Sequence, residues 1–270
     1  MFSKKIFKVT IISMLLLGCE GNGDAMAKDT VKVSINPLPV IMNVVAGKVS
    51  ELNLNDSNTV LNRVCQVAYG EINLSAFKEE VNKSGSDMKK QSKFFQLVQS
   101  DDLNSYKTVC AAHIIQSVAT IPDVNKYVTQ EKNDDGQSVF RTNEKAVIDL
   151  MPFRLAVARA TAELYARIAA SLLEEKALST EMYNQKINKL FSQAAADYLE
   201  TVGKYNKEDS NHRYQLLLLR KGRFIFKSDS GYLVDINDNN MNLYSYGTPW
   251  LTGGYVLGAI HSIDTIMSRP

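Results

Sequence analysis

The strongest periodic pattern in the chain is DLMPFRLAVARATAELYARIAASLLEEKALSTEMYNQKINKLFSQAAADYLETV, residues 149–202. Asp149 and Pro152 are typical of a helix start, Ser179 starts a second series, and Gly203 lies just past its end. The inward-facing apolar residues are Phe153, Val157, Ala160, Leu164, Ile168 and Leu172, then Tyr183, Ile187, Leu190, Ala194, Tyr198 and Val202. This helical spacing and the short joint predict an antiparallel helical hairpin.

After this hairpin the apolar pattern changes to a period of two. Residues 214–219, 224–227 and 232–236 alternate in this way and are separated by glycine-containing turns. The pattern predicts a three-stranded antiparallel meander, which must cover its apolar face with helices to be stable. A polar turn follows at residues 237–242. Helical spacing then returns at 254–267 and predicts a C-terminal helix.

Before the hairpin, helical spacing predicts four shorter helices, near residues 56–70, 75–82, 88–98 and 103–121. Residues 124–142 are polar, with an Asp-Asp-Gly turn signal at 134–136, and are expected to form a loop or hairpin.

Residues 19–55 show little periodicity. We expect a tether, then an edge strand or extended segment around Val31 that Pro37 and Pro39 end, or a segment without structure.

The leader has the layout of a secretory signal. Lys4, Lys5 and Lys8 precede an apolar run at 9–17, which is too short to span a bilayer. The run ends in Leu16-Leu17-Gly18-Cys19, which resembles the lipobox of bacterial lipoproteins. The resemblance implies lipid on Cys19 after cleavage before it, and Glu20 favours the outer membrane over the inner one. An ordinary secretory leader cut after Ala25-Met26-Ala27 is the alternative.

Cysteine usage agrees with export. With Cys19 lipidated, Cys65 and Cys110 remain as an even pair on the apolar faces of two predicted helices. In an oxidising compartment we expect a disulfide between them, and two buried free thiols are the alternative. Without its leader the chain has 28 rather than 31 basic residues against 29 acidic ones. This near-neutral balance gives no indication of nucleic-acid binding.

Together these segments predict a mainly α fold with a small antiparallel β-meander near the C-terminus, an α+β protein with helical hairpins packed on a three-stranded sheet. We expect one compact domain, or two packed halves meeting around 124–142. The predicted divisions are a signal peptide at 1–18, a tether and extended segment at 19–55, a disulfide-stapled helical region at 56–123, a loop or hairpin at 124–142, and the helical hairpin, meander and C-terminal helix at 143–270.

The best candidate for partner recognition is an aromatic-rich run near the C-terminus. Tyr244, Tyr246 and Trp250 combine apolar area with a polar group, as interface residues often do. The alternative is a loop folded onto the core beneath the meander.

Three other patterns favour a structural role. Residues 235–246 begin like a calcium loop, but Asn240 and Tyr246 occupy positions where such loops need glycine and glutamate. Cys110 and His113 have the spacing of a thiolate nucleophile and its base. A disulfide at Cys110 would remove the thiolate. The charged residues Arg159, Glu163 and Arg167 suggest an exposed ion-pair ladder on one helix.

No catalytic, cofactor or metal motif stands out, so the prediction of function depends on the expected lipid anchor. The sequence predicts a lipid-anchored envelope protein, on the outer membrane facing the periplasm, that acts through protein contacts with an unknown envelope partner. Such a protein would be an accessory of a secretion, transfer or surface-assembly apparatus. The alternatives are a periplasmic inhibitor or immunity lipoprotein, and an enzyme acting on cell wall or glycan.

Overall fold

The computed structural model describes residues 30–31, 38–52, 54, 57–84, 92–119, 128–175, 177–220, 223–229, 231–237, 240–245, 248–249, 251–252 and 255–256. The predicted signal peptide and the lipobox-like segment with Cys19 therefore lie outside the described residues. The described part is mainly helical, with a small antiparallel sheet near the C-terminus, which confirms the predicted fold class.

Five helices form the first part of the described chain: α1 (Leu38–Ser50), α2 (Ser57–Ala68), α3 (Leu74–Ser84), α4 (Lys93–Gln99) and α5 (Leu103–Ala119). The last four correspond to the four short helices expected from the sequence. Gly70 takes a left-handed conformation with φ of 74° just after α2, where a side chain at Cβ would be strained.

The expected short strand around Val31 is present as β1 (Thr30–Val31), but helix α1 corrects the expectation that no helix forms before residue 55. Pro37 and Pro39 were interpreted as the end of the strand, whereas Pro39 is the second residue of α1. Proline is tolerated in the first helical turn because the amide it lacks would have no intrahelical partner there. Ile41 and Val45 are buried, so α1 packs into the core through one face.

The long hairpin consists of α6 (Glu144–Leu173) and α7 (Thr180–Asp209). Helix α6 begins before the predicted start, because Asn143 accepts a hydrogen bond from the amide of Ala146 at 3.1 Å and caps it. Pro152 therefore lies inside α6. Helix α7 runs beyond Gly203, which is not its terminal glycine, and ends at Asp209.

Two short strand pairs flank the hairpin. At its connection, β4 (Leu178–Ser179) pairs antiparallel with β1 (Thr30–Val31), with Thr30 opposite Ser179. Before α6, β2 (Val128–Lys132) and β3 (Ser138–Thr142) form a hairpin within the predicted 124–142 segment.

The sheet has five strands in the order β5 (Tyr214–Arg220), β6 (Arg223–Ser228), β7 (Tyr232–Asn237), β8 (Asn240–Ser245) and β9 (Thr248–Pro249). The first three are the predicted meander. Strand β8 occupies the second half of the segment expected to be a polar turn, residues 240–242, because Asn237 and Asn240 pair directly.

The chain continues beyond this sheet with β10 (Leu251–Thr252), which pairs with β11 (Tyr255–Val256). The predicted C-terminal helix is therefore wrong at residues 255–256, and the rest of it lies outside the described residues.

Helix α6 belongs to two hydrophobic cores. Its second half, from Val157 to Leu172, packs in one core with α1–α5 and α7. Its first half packs under the sheet, where Val147, Met151 and Leu155 contact Phe224 and Phe226. The helical core is thus continuous from α1 to α7. None of the described helices is long and apolar enough to cross a membrane.

Candidate functional site

The two internal cysteines are joined. Cys65 on α2 and Cys110 on α5 have their sulfur atoms 2.10 Å apart and their Cα atoms 4.9 Å apart. His113 lies one turn further along α5 with its Nε2 3.1 Å from Asn62 Oδ1, and burial lowers the pKa of its imidazole. A sulfur atom in a disulfide is not a nucleophile, so Cys110 and His113 do not act as a nucleophile and its base. Their role is structural.

A partly buried polar cluster joins the end of α7 to α6 and the sheet. We call Arg159, Tyr205, Asp209, His212 and Tyr232 the junction cluster. Arg159 Nη1 donates to Asp209 Oδ1 at 3.0 Å, and its guanidinium carbon lies 3.7 Å from the ring centre of Tyr205 and 5.9 Å from that of Tyr232. The cluster is therefore held by a charge pair and by cation–π contacts.

Asp209 is the buried centre of the junction cluster. Its side chain is fully buried, and Oδ2 has no hydrogen-bond partner among the described residues. Burial raises the pKa of this carboxyl, while the neighbouring Arg159 and His212 lower it. Carboxyl groups with a shifted pKa occur at functional sites and in purely structural networks alike.

His212 is positioned by two carboxylates. Its Nδ1 lies 3.0 Å from Asp229 Oδ1, and its Nε2 lies 3.7 Å from Asp209 Oδ1. The Nδ1 contact connects the end of α7 with the β6–β7 turn, whereas the separation of 3.7 Å at Nε2 is too long for a hydrogen bond.

The interpretation of Arg159, Glu163 and Arg167 as a ladder within one helix is wrong. Arg167 Nη1 donates to Asp197 on α7 at 2.9 Å, and Glu163 accepts a hydrogen bond from the Tyr205 hydroxyl of α7. The side chains lie along the seam between α6 and α7, where partners on the facing helix compete successfully with partners one turn away.

The first residue of the calcium-like segment is held by an arginine. Asp235 is buried in β7, and its two oxygens accept from Nε and Nη2 of Arg223, each at 3.0 Å. A bidentate pair of this kind uses the carboxylate that would start a calcium loop. Within the described ranges, no three His, Cys, Asp or Glu side chains form a group that could hold a metal ion.

A concave surface among the described residues follows one face of α7. One cleft of about 730 Å³ and a second of about 410 Å³ share Lys107 and Ala196, so together they form a single groove, the α7 groove. It extends from Lys189 to Glu208, which corresponds to about 28 Å of helix. Its floor contains the small residues Ser192, Ala196 and Gly203, and α2 and α5 form the opposite wall.

The rim of the α7 groove is basic and aromatic. Lys107, Lys189, Lys204 and Lys207 border it, against the two carboxylates of Glu200 and Glu208. Glu208 forms an ion pair with Arg159 at 3.5 Å, and this pairing partly neutralises the negative charge that Glu208 presents to the groove. Tyr69, at the end of α2, is 45% exposed on the same rim. An acidic segment with one apolar face would complement this surface.

Of the three residues predicted to bind a partner, the structure describes only Tyr244. Tyr244 belongs to β8, opposite Leu233 and Pro249, and so lies in a strand rather than in a loop. Tyr246 and Trp250 lie outside the described residues, as does the proposed lipidation site Cys19. Their roles stay predictions.

Comparison with known proteins gives no match. No family model, no curated protein and no solved structure resembles the chain. The site is therefore argued from its own geometry.

The sequence analysis missed both the α7 groove and the junction cluster. The cluster unites residues far apart in the chain, and only the packing of α7 on α6 brings them together. The groove had one available signal: the small residues Ser192, Ala196 and Gly203 recur at helical spacing on one face of α7. That signal went unused because Gly203 was assigned to the helix end.

Proposed function

We propose that this chain is a lipid-anchored cell-envelope protein that binds a partner protein in the α7 groove. The observation that carries the proposal is the groove itself, an open channel of about 28 Å with small residues on its floor and an exposed tyrosine on its rim. Its length suits a helix of about five turns from the partner. Lipid on Cys19, in the lipobox-like segment, would hold the protein on the periplasmic face of the outer membrane.

The charge of the rim supports a protein partner over a glycan substrate. Glycoside hydrolysis uses two carboxyl groups about 5 to 9.5 Å apart. Glu200 and Glu208 are eight residues apart on α7, about 12 Å along the helix axis, and Glu208 is paired with Arg159. The lysines are instead placed to attract an acidic surface and to speed its association.

Photo-crosslinking in intact cells tests the proposal. A photoreactive amino acid is placed at Tyr69 in the full chain, with the same residue at Val139, 39% exposed on β3 outside the groove, as the control. We expect one specific crosslinked protein from Tyr69 and none from Val139. Equal products from both positions, or none from Tyr69 in folded protein, would contradict groove binding.

Charge reversal then tests whether the capture depends on the groove. Lys107→Glu with Lys204→Glu should weaken the Tyr69 crosslink at least about tenfold, which corresponds to about 1.4 kcal/mol. Lys132→Glu with Lys145→Glu, at exposed positions outside the groove, is the matched control and should leave the crosslink intact. A captured membrane-apparatus component supports the accessory role, and a captured soluble hydrolase supports the inhibitor role.

A further inference from the structure

The connection of the α6–α7 hairpin is the most apolar exposed point among the described residues. Leu173, the last residue of α6, is 60% exposed, and Met182, in the first turn of α7, is 56% exposed. These are the two most exposed of the large apolar side chains described. Both lie within one helical turn of the connection, so we call them, together with the β1–β4 pair, the hairpin tip.

The described part of the chain begins at this tip. Strand β1 begins at Thr30 and pairs with β4 in the hairpin connection, and β1 also contacts α7. Ten residues lie between Cys19 and Thr30, and this segment reaches no further than about 40 Å. The opposite end of the hairpin, with the sheet and the β2–β3 hairpin, is about 45 Å from the tip because each helix has 30 residues.

We propose that the hairpin tip faces the lipid bilayer, with Leu173 and Met182 in contact with it. This inference rests on the lipid anchor at Cys19 in the proposed function. A lipid on Cys19 keeps the tip near the membrane surface, and that surface is the apolar medium within reach that would cover the two side chains. The sheet end then points away from the membrane, and the α7 groove runs along the axis between them.

The charges at the tip define what kind of contact this is. Glu174 and Glu181 are exposed there, while Glu175 is paired with Lys186. The described residues of the tip thus offer lipid the apolar side chains of Leu173 and Met182 rather than a basic cluster. The depth of this apolar contact should not change with salt, because screening acts only on charges.

A fluorescence-quenching experiment on the lipidated full chain tests this orientation. Ala177→Cys places a thiol at the tip, and Val139→Cys places one at the far end. Each added cysteine is the only free thiol, since Cys65 and Cys110 are bonded and Cys19 is lipidated. Each variant is labelled with a small environment-sensitive fluorophore. It is then bound to phosphatidylethanolamine–phosphatidylglycerol vesicles that contain nitroxide-labelled lipid.

We expect nitroxide quenching at residue 177 to exceed that at 139 at least threefold, both at low salt and at high salt. In the Ala177→Cys background, Leu173→Glu with Met182→Glu should reduce the quenching, whereas Asp134→Ser with Asp135→Ser, on the β2–β3 turn, should not. Circular dichroism of each variant confirms that it remains folded.

Each other outcome overturns the inference in a distinguishable way. Equal quenching at 139 and 177 means that the molecule lies flat on the bilayer, and no quenching at 177 means that the tip is held away from it. In both cases a lipidated N-terminus, established by mass spectrometry on the same sample, leaves the proposed anchor intact. An N-terminus without lipid removes the anchor and the tip orientation together.

Discussion

Reduction of the Cys65–Cys110 bond is expected to lower the thermal midpoint by about 8–16 °C. The bond links residues 45 positions apart. In the chain-entropy model, opening a loop of that size stabilises the unfolded chain by about 4 kcal/mol. One kcal/mol shifts the midpoint of a domain this large by about 2–4 °C. Because α2 and α5 share one core, the reduced protein should still fold.

The assay compares thermal unfolding of the oxidised protein, the reduced protein and the cysteine variants. Reduction leaves both sulfur atoms in place and so isolates the effect of the loop. Cys65→Ala, Cys110→Ala and the double variant should all lose about the same stability, since each removes the same bond. Variants that lack Cys110 should lose slightly more, because its side chain is fully buried.

The matched control is the reductant applied to the double alanine variant, where it should change nothing. A reduced wild-type protein that melts within about 1 °C of the oxidised one would refute the loop argument. Labelling of both thiols in the unreduced, unfolded protein would refute the bond itself.

Three further predictions concern the sheet, the junction cluster and the anchor. Asp235→Leu should destabilise by about 3–5 kcal/mol because it leaves the Arg223 charge buried, and Arg223→Met with Asp235→Leu should recover most of that loss in urea unfolding. Burial raises the pKa of Asp209, so its contribution to stability is present below the unfolded value of about 3.9 and is lost as the pH rises through the folded value. Asp209→Asn should make the free energy of unfolding fall less steeply as the pH rises across the acid range. An unchanged slope would show that another group causes the pH dependence. Cys19→Ser should abolish lipid attachment, as mass spectrometry of the mature N-terminus would show, whereas a wild-type chain that starts at Lys28 without lipid would contradict the anchor.

Periodicity identified most of the helices and strands β5–β7 because one face of each element is buried in one of the two cores. The hairpin α6–α7 is the clearest case: Ile168, Leu172 and Ile187 are fully buried as predicted, whereas Phe153, also predicted to face inward, is 38% exposed. Boundaries were less accurate, since they depend on contacts outside the element. Asn143 extends α6 by its capping bond, and the partners of Tyr205 and Asp209 carry α7 past Gly203.

Helix α1 was missed for a different reason. A proline at position 39 is compatible both with the end of a strand and with the start of a helix, and the sequence does not say which. The choice depends on whether Ile41 and Val45 find a core to enter, which α5 and α7 provide. The α7 groove could not be located from the sequence for the same reason, because its shape depends on the packing of the helices on both of its sides.

The position of α6 in two cores has a consequence for how the native protein opens. Native-state amide exchange reports local openings as cooperative units that expose a shared packing surface. The amides of the first half of α6, around Met151, should exchange together with those of β6. The amides of the second half, around Ile168, should exchange later, with those of α7. Pro152 contributes no amide proton and removes one intrahelical hydrogen bond. We therefore expect this single helix to divide between two exchange units at the turn that follows the proline.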